Sequence, residues 1–152
     1  MITRLNEFKK TLSEEVTKEN NWEKSHDKDG DKIYIKKLEK LNLTRIETEI
    51  DGSPEEIIKE LKNLELRKSQ DKNLIEISMI EKIDENTAIY YMLVNLPIMF
   101  MANREFVVLY GVVKENDTTY FIQRSTEHPS KPVTNKNVRA IIHQSNWCIV
   151  PI

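Results

Sequence analysis

The side chains of this sequence that could act as nucleophiles, general bases or metal ligands are few and far apart. His26, His128 and His143 have no Cys, His or acidic neighbour at the spacing used by metal sites. Ser125 and His128 are three residues apart, but no nucleophile elbow surrounds the serine. Cys148 is expected to be a buried strand residue, with no adjacent base to lower its pKa. The sequence therefore predicts no catalytic centre, no metal and no cofactor.

Aspartates occupy every second position from Asp27 to Asp31, a spacing that resembles calcium-binding loops. The EF-hand loop needs Gly at its sixth position and Glu at its twelfth. Counted from Asp27, those positions hold Lys32 and Leu38. A solvated loop over residues 24–31, turning at Asp29-Gly30, is the better interpretation.

Length and charge limit the class of protein. The 152 residues, 39% of them hydrophobic, fit one domain with one core. The 23 Lys and Arg against 25 Asp and Glu give a net charge of −2, so no nucleic-acid-binding surface is expected. The 3 glycines are too few for glycine-rich phosphate loops. One cysteine and the absence of an apolar leader predict a cytoplasmic protein.

Residues 86–103 contain no charged side chain, and about 18 apolar residues are the lower limit for a membrane-spanning helix. Asn95 and Pro97 interrupt this stretch, and residues 87–94 are rich in β-branched and aromatic side chains. We therefore predict a strand followed by an apolar loop.

The spacing of hydrophobic residues predicts both helices and strands. Apolar residues at spacings of three and four indicate an amphipathic N-terminal helix over residues 3–19. Ser53-Pro54-Glu55-Glu56 is a capping box that starts a short second helix, whose apolar stripe ends at Leu64. Alternation predicts strands over 32–38, 43–50, 74–83, 87–94, 104–114, 118–125 and 138–150, the last broken near Ser145-Asn146. Short turns favour a consecutive antiparallel meander and an α+β fold.

The strand over residues 104–114 is apolar on both faces. Phe106, Val108, Tyr110 and Val112 alternate with Val107, Leu109 and Val113. A helix is expected to cover one face, and a second layer or an internal ligand cavity the other.

Six short segments carry a family pattern in chain order. They are Ile50-Asp51-Gly52-Ser53-Pro54, Arg67-Lys68-Ser69-Gln70-Asp71, Ile83-Asp84-Glu85-Asn86-Thr87, Asn103-Arg104-Glu105-Phe106-Val107, Arg124-Ser125-Thr126-Glu127-His128-Pro129 and Val138-Arg139-Ala140. Together they resemble the START (StAR-related lipid-transfer) domain family from about Trp22 to Pro151. Gln70 stands where the family has Trp, and Glu105 where it has Asp. Neither difference disturbs the resemblance.

This resemblance implies a helix-grip fold, in which a curved antiparallel sheet wraps around an apolar tunnel. Residues 1–21 would form the N-terminal helix, and residues 22–152 the sheet and short helix of a single domain. The sequence ends at Ile152, before the family's last strand and closing helix, so a truncated tunnel is expected. The resemblance also implies non-catalytic binding and transfer of one lipid.

The uncharged run after the 87–94 strand matches the position of the family's gating loop. The resemblance assigns this role to Pro97, Ile98, Met99, Phe100 and Met101. Such an apolar loop is difficult to explain in water, which favours transient contact with a membrane.

The resemblance also bears on the class of lipid. Sterol-binding members carry a buried acid and arginine, and the matching positions, Tyr91 or Met92 and Tyr110, are uncharged here. Arg67 matches the arginine with which phospholipid-binding members meet the phosphate. A phospholipid is therefore favoured, and a sterol or other neutral lipid is the alternative.

Further ligand contacts follow from the same resemblance. A partial aromatic cage for choline would use Tyr91 or Met92, Phe106 and His143. The expected wall residues are Phe106, Val108, Tyr110 and Val112.

Other interpretations stay open. Arg67 follows the predicted helix and would pair with a nearby carboxylate if its role were structural, and Glu105 and Arg139 are expected to be structural. Two other classes compete with lipid carriage. One is an enzyme of the same fold superfamily, of cyclase or hydrolase type, and the other is a truncated interaction module that binds a partner helix. The sequence identifies no protein partner.

Overall fold

The computed structural model describes residues 21–98 and 100–152. The chain divides into two compact units between Gly52 and Ser53. The predicted N-terminal helix over residues 3–19 lies outside the described residues. The assignment of the whole chain to one domain remains a prediction.

The described part of the first unit is a three-stranded antiparallel sheet in the order β1-β2-β3. Its strands are β1 (Glu23–Lys28), β2 (Asp31–Lys37) and β3 (Asn42–Glu47). Asp29 and Gly30 turn the chain between β1 and β2 with φ angles of 56° and 91°, which confirms the predicted turn.

The prediction of a loop from Lys24 onward is wrong for the residues of β1. Every residue of this strand is exposed, so it lacks the alternation by which a strand is recognised in sequence. Backbone pairing with β2 holds it in the sheet. The third strand is also shorter than predicted, since it ends at Glu47 rather than Ile50.

The second unit begins with a helix, α1 (Pro54–Lys62), whose start agrees with the capping box. The backbone N–H of Glu56 donates to Ser53 Oγ at 3.3 Å, and the backbone N–H of Ser53 donates to Glu56 Oε2 at 2.8 Å. This reciprocal pair satisfies two donors that the first turn of a helix leaves free.

A second helix, α2 (Leu64–Gln70), follows immediately. Asn63 has extended backbone angles, and its Oδ1 accepts from the N–H of Leu66 at 3.1 Å. Arg67 follows α1, as predicted, but it lies within a second helix that the sequence analysis did not predict and that Asn63 caps.

Six strands form the sheet of the second unit. They are β4 (Leu74–Lys82), β5 (Thr87–Val94), β6 (Arg104–Glu115), β7 (Thr118–Ser125), β8 (Val138–Arg139) and β9 (Ser145–Ile149). The antiparallel order β4-β5-β6-β7-β9 confirms the predicted meander for these strands, and the sheet is open.

The predicted strand over residues 138–150 is two separate strands. β8 pairs in parallel with the first residues of β6, whereas β9 pairs antiparallel with β7. Between them, Ile142 is tied to the end of β7, since its N–H donates to Ser125 Oγ at 2.8 Å. The backbone N–H of Ser125 also donates to Ile142 O at 2.9 Å. This bend separates the two pairings, so β8 departs from the predicted antiparallel meander.

Side chains alternate between two faces of this sheet. The helix face packs against α1 and contains Ile58 of α1 with Ala88, Tyr90, Val108, Tyr110 and Phe121. The loop face, named for the segment 126–139 that crosses it, contains Ile89, Tyr91, Val107 and Leu109. The prediction that β6 is apolar on both sides and covered by helix on one is confirmed.

Among the described residues, no helix has the length and apolar content needed to cross a membrane. Residues 87–94 of the uncharged stretch form β5, as predicted, and the described residues after it, 95–98 and 100–103, form a loop.

Candidate functional site

The last turn of α2 places Arg67 over the helix face. Its guanidinium carbon lies 5.0 Å from the centre of the Tyr90 ring, and the side chain is half-buried. A cation at this distance from an aromatic face is attracted by the electrons of the ring. Within residues 21–98 and 100–152, Arg67 forms no ion pair with a carboxylate. Within this part of the chain, stacking on Tyr90 holds the charge of Arg67 against the sheet.

Tyr90 connects Arg67 to a second polar side chain. Its hydroxyl donates to Gln123 Oε1 at 2.7 Å, and both residues are buried. Burial raises the pKa of Tyr90, while the nearby Arg67 acts in the opposite direction. The phenol is therefore a neutral hydrogen-bond donor. We call Arg67, Tyr90 and Gln123 the polar cluster.

Aromatic rings surround the polar cluster on the helix face. The Tyr90 and Tyr110 ring centres are 6.3 Å apart, and Tyr110 stacks on Phe121 with centres 5.2 Å apart. Phe121 is fully buried and Tyr110 is nearly so. These rings and the polar cluster form a surface that is mostly apolar with a few polar atoms, which is the usual character of small-molecule sites.

The four expected wall residues and Met92 share the helix face. Val108 and Tyr110 are buried, and the partly buried Phe106, Val112 and Met92 pack against them. Met92 lies directly opposite Phe106 in the pairing of β5 with β6. The structure thus settles which of the two adjacent positions, 91 or 92, shares the helix face.

Tyr91 and His143 are not brought to the helix face. The hydroxyl of Tyr91 donates to Glu105 Oε2 at 3.1 Å on the loop face, where burial and the carboxylate raise the pKa of Tyr91 to about 12. His143 is exposed in the bend between β8 and β9. Of the predicted aromatic cage, only Met92 and Phe106 lie together.

Tyr90, Gln123 and Phe121 were not singled out from the sequence. Tyr90 lies next to the ambiguous pair of positions 91 and 92. Gln123 shares a strand face with the buried Phe121, and this alternation would have marked it as a polar side chain in need of a buried partner.

The 95–103 loop between β5 and β6 presents an apolar tip. Phe100 is 98% exposed, with a positive φ of 67°, and Ile98 is 58% exposed. Met101 and Pro97 are also exposed, and Met99 lies outside the described residues. An exposed phenylalanine among apolar neighbours leaves apolar surface in water, which is unfavourable.

A second buried polar group lies on the loop face. Arg139 Nη2 and Nε donate to Glu105 Oε1 at 2.9 and 3.1 Å, and Glu105 is 5% exposed. Although burial acts to raise it, hydrogen bonds from Arg139, Tyr91 and Asn137 hold the pKa of Glu105 below its usual value. The prediction that Glu105 and Arg139 are structural agrees with this pairing.

The residues considered for nucleophilic or metal chemistry remain apart. The described residues contain no group of three or more His, Cys, Asp or Glu able to hold a metal ion. His128 contacts Ser130 and Glu81 rather than Ser125. Cys148 is exposed, so the expectation of a buried residue is wrong, although partial desolvation still raises the pKa of its thiol. In the described sheet, β9 is the edge strand next to β7.

Comparison with solved structures places this geometry among lipid-transfer folds. Human StAR-related lipid transfer protein 5 aligns with a TM-score of 0.82 at 21% identity, over 99% of this chain and 74% of that chain. Human STARD10 aligns with a TM-score of 0.78 at 22% identity, over 91% of this chain and 58% of that chain. A STAR-related lipid transfer protein fragment from Xanthomonas axonopodis gives 0.74 at 19% identity, over 88% and 75%.

These similarities show the START helix-grip fold, whose described part here is a curved antiparallel sheet with two helices. A search of curated protein sequences finds no significant match. The chain spans 58% of the STARD10 chain, and thus less than two thirds of it. A comparison with protein-family models matches the START domain to residues 4–151. Because this match covers nearly the whole sequence, the chain belongs to the START domain family.

Proposed function

We propose that this chain binds one phospholipid against the helix face and transfers it between membranes without catalysis. Membership of the START family implies lipid binding and transfer. The observation that carries the choice of phospholipid is the position of Arg67, half-buried over Tyr90 and without a carboxylate partner among the described residues.

A phosphate is the group that suits this arginine. A guanidinium presents a planar fork of donors that matches two phosphate oxygens, and such charge-assisted bonds are about twice as strong as neutral ones. A half-buried cation gains from a nearby anion, and a phosphate would supply that counter-charge. The chain of the lipid would lie along the apolar residues of the same face, including Phe106 and Val112.

The rest of the polar cluster supports a polar headgroup. Tyr90 and Gln123 form a hydrogen bond with each other, which satisfies part of their hydrogen-bonding capacity without any charged group. The amide nitrogen of Gln123 carries two further N–H donors, in addition to the oxygen that accepts from Tyr90. A sterol, which carries one hydroxyl and no charge, would supply no anion to Arg67.

Lipid exchange would take place through the 95–103 loop during brief contact with a membrane. Phe100 and Ile98 are the most exposed of its described apolar side chains. Insertion of these side chains among lipid tails would remove them from water, a favourable change of roughly 25 cal/mol per Å².

The test is native mass spectrometry of the chain after incubation with vesicles that contain phosphatidylcholine and cholesterol. We expect one phospholipid per monomer. Arg67→Gln should lose the phospholipid, and the control Lys68→Gln should keep it, because Lys68 is an exposed neighbour on the same helix. Retention of cholesterol instead would favour the neutral-lipid alternative. Empty wild-type protein, or equal retention by Arg67→Gln, would contradict the proposal.

A further inference from the structure

The strand β4 is an edge strand of the described sheet, and its pairing with β5 is irregular at two places. The register shifts just before Glu76 and again just before Glu81. Such a bulge interrupts the ladder of hydrogen bonds and gives the next side chain a new direction. Both glutamates lie opposite residues of the loop face, Leu93 and Ile89. β4 therefore presents two carboxylates on the loop face.

The 126–139 segment, which crosses the loop face, binds both of these glutamates. Lys131 Nζ lies 3.5 Å from Oε1 of Glu76, and His128 Nε2 lies 3.1 Å from Oε2 of Glu81. Lys131 Nζ also lies 3.7 Å from the centre of the Tyr91 ring, and this cation–π contact holds it over β5. The segment thus contacts β4 at each place where the pairing with β5 is irregular.

The backbone of Lys131 is itself fixed. Its carbonyl oxygen accepts from Arg139 Nη2 at 2.8 Å, and its N–H donates to His128 O at 3.1 Å. Arg139 is held in turn by two hydrogen bonds to the buried Glu105 of β6. The lysine end of the ion pair is therefore anchored to the middle of the sheet, whereas Glu76 belongs to its edge.

Toward the N-terminus from Glu76, hydrogen bonds lead to Arg67. Leu74, the first residue of β4, is buried in the helix face, and its N–H donates to Asp71 O at 3.1 Å. The N–H of Asp71 donates to Arg67 O at 3.2 Å at the end of α2. α2 also packs against β4. A displacement of β4 at Glu76 would therefore move the backbone of Arg67.

We propose that Lys131 and Glu76 are positioning residues that hold Arg67 where it meets the phosphate of the lipid. This inference rests on the proposed function, because it concerns the arginine assigned to that phosphate. The ion pair fixes the start of β4, and the hydrogen bonds through Leu74 and Asp71 fix the last turn of α2. Both charged residues act from the loop face, so neither touches the lipid.

Binding of two lipids with the same acyl chains tests this role. Phosphatidylcholine carries a phosphate, and diacylglycerol does not. The Lys131 and Glu76 side chains are 34% and 46% exposed, so water weakens their attraction. We expect Glu76→Gln to weaken phosphatidylcholine binding roughly threefold and to leave diacylglycerol binding unchanged. Unchanged phosphatidylcholine binding, or an equal loss for both lipids, would overturn the positioning of Arg67.

The matched control is Glu81→Gln, which removes the contact of the same segment with the far end of β4. It should leave the binding of both lipids unchanged. A threefold loss of phosphatidylcholine binding in this control would overturn the proposal, because any loosening of β4 would then have the same effect.

A charge exchange tests the pair itself. Glu76→Lys/Lys131→Glu restores an attraction between opposite charges, so it should bind phosphatidylcholine more tightly than either single variant. No recovery in the double variant would show that the two charges act separately, and it would overturn the pair as the positioning element.

Hydrogen–deuterium exchange of the lipid-free chain distinguishes failure of this proposal from failure of the proposed function. We expect amides of residues 67–77 to exchange roughly threefold faster in Glu76→Gln, with β6 and β7 unchanged. Unchanged exchange over residues 67–77 would overturn the link from the pair to α2. Wild-type protein that carries no phospholipid would contradict the proposed function instead, and amide exchange would still decide whether the pair holds the last turn of α2.

Discussion

The guanidinium of Arg67 and the ring of Tyr90 are stacked on the helix face of the sheet, with the guanidinium carbon 5.0 Å from the ring centre. The ring restricts where the arginine can lie, and the hydroxyl of the same tyrosine is engaged by Gln123. One buried side chain thus contacts the guanidinium of Arg67 with its ring and the amide oxygen of Gln123 with its hydroxyl. This double role makes Tyr90 a useful residue to change.

Tyr90→Phe removes the hydroxyl and keeps the ring beneath Arg67. We expect a loss of about 1–3 kcal/mol of unfolding free energy, because Gln123 Oε1 becomes a buried acceptor without its donor. Urea denaturation measures the loss. Gln123→Leu alone and the double variant complete a cycle, in which the double variant should cost less than the sum of the single changes. Additive costs would show that the two side chains do not interact.

Phe100→Ser should weaken membrane binding without weakening the fold. Phe100 is 98% exposed, so the native state loses few contacts. Burying a phenylalanine is worth about 1.5–3 kcal/mol, so co-sedimentation with phosphatidylcholine vesicles should show roughly tenfold weaker binding or more. The matched control is Val133→Ser, since Val133 is 69% exposed and outside the loop. Equal binding by the two variants would mean that the loop does not contact the membrane.

Local signals in the sequence predict the elements whose causes are local. The capping box of Ser53 and Glu56 starts α1, and Asp29-Gly30 turns the first hairpin, because each needs only neighbouring residues. β1 was missed because pairing with β2 alone makes it a strand. Asn63 was missed because an asparagine between two helical segments looks like part of one helix until its cap is seen.

The positions predicted to contact a ligand carry an uncertainty of one residue in β5, between Tyr91 and Met92. Side chains of a strand alternate between faces, so an error of one position moves a residue to the opposite face. Met92 lies on the helix face, while Tyr91 contacts Glu105 on the loop face. The contact between Glu105 and Arg139 joins residues 34 positions apart, and no local pattern encodes it.

The stability of the protein should depend on pH through Glu105. Its folded-state pKa is lowered, so the carboxylate stabilises the fold fully above the unfolded pKa of about 4.3. That contribution is lost as the pH falls through the folded pKa. Urea denaturation at several pH values should therefore show a stability difference between wild type and Glu105→Gln that shrinks from pH 7 toward pH 3. A constant difference would show that Glu105 has the same pKa in both states.

Ser53→Ala should destabilise the second unit by removing the cap of α1. Ser53 Oγ accepts from the N–H of Glu56, and loss of such a cap costs about 1 kcal/mol. The control Ser53→Thr keeps the hydroxyl and should retain most of the stability in urea denaturation. α1 contributes Ile58 to the core and leads directly into the helix that carries Arg67. Even so, phospholipid retention by the folded Ser53→Ala protein should match wild type, because the cap does not touch the helix face. A loss of lipid at unchanged stability would mean that Ser53 acts on the site rather than on the helix.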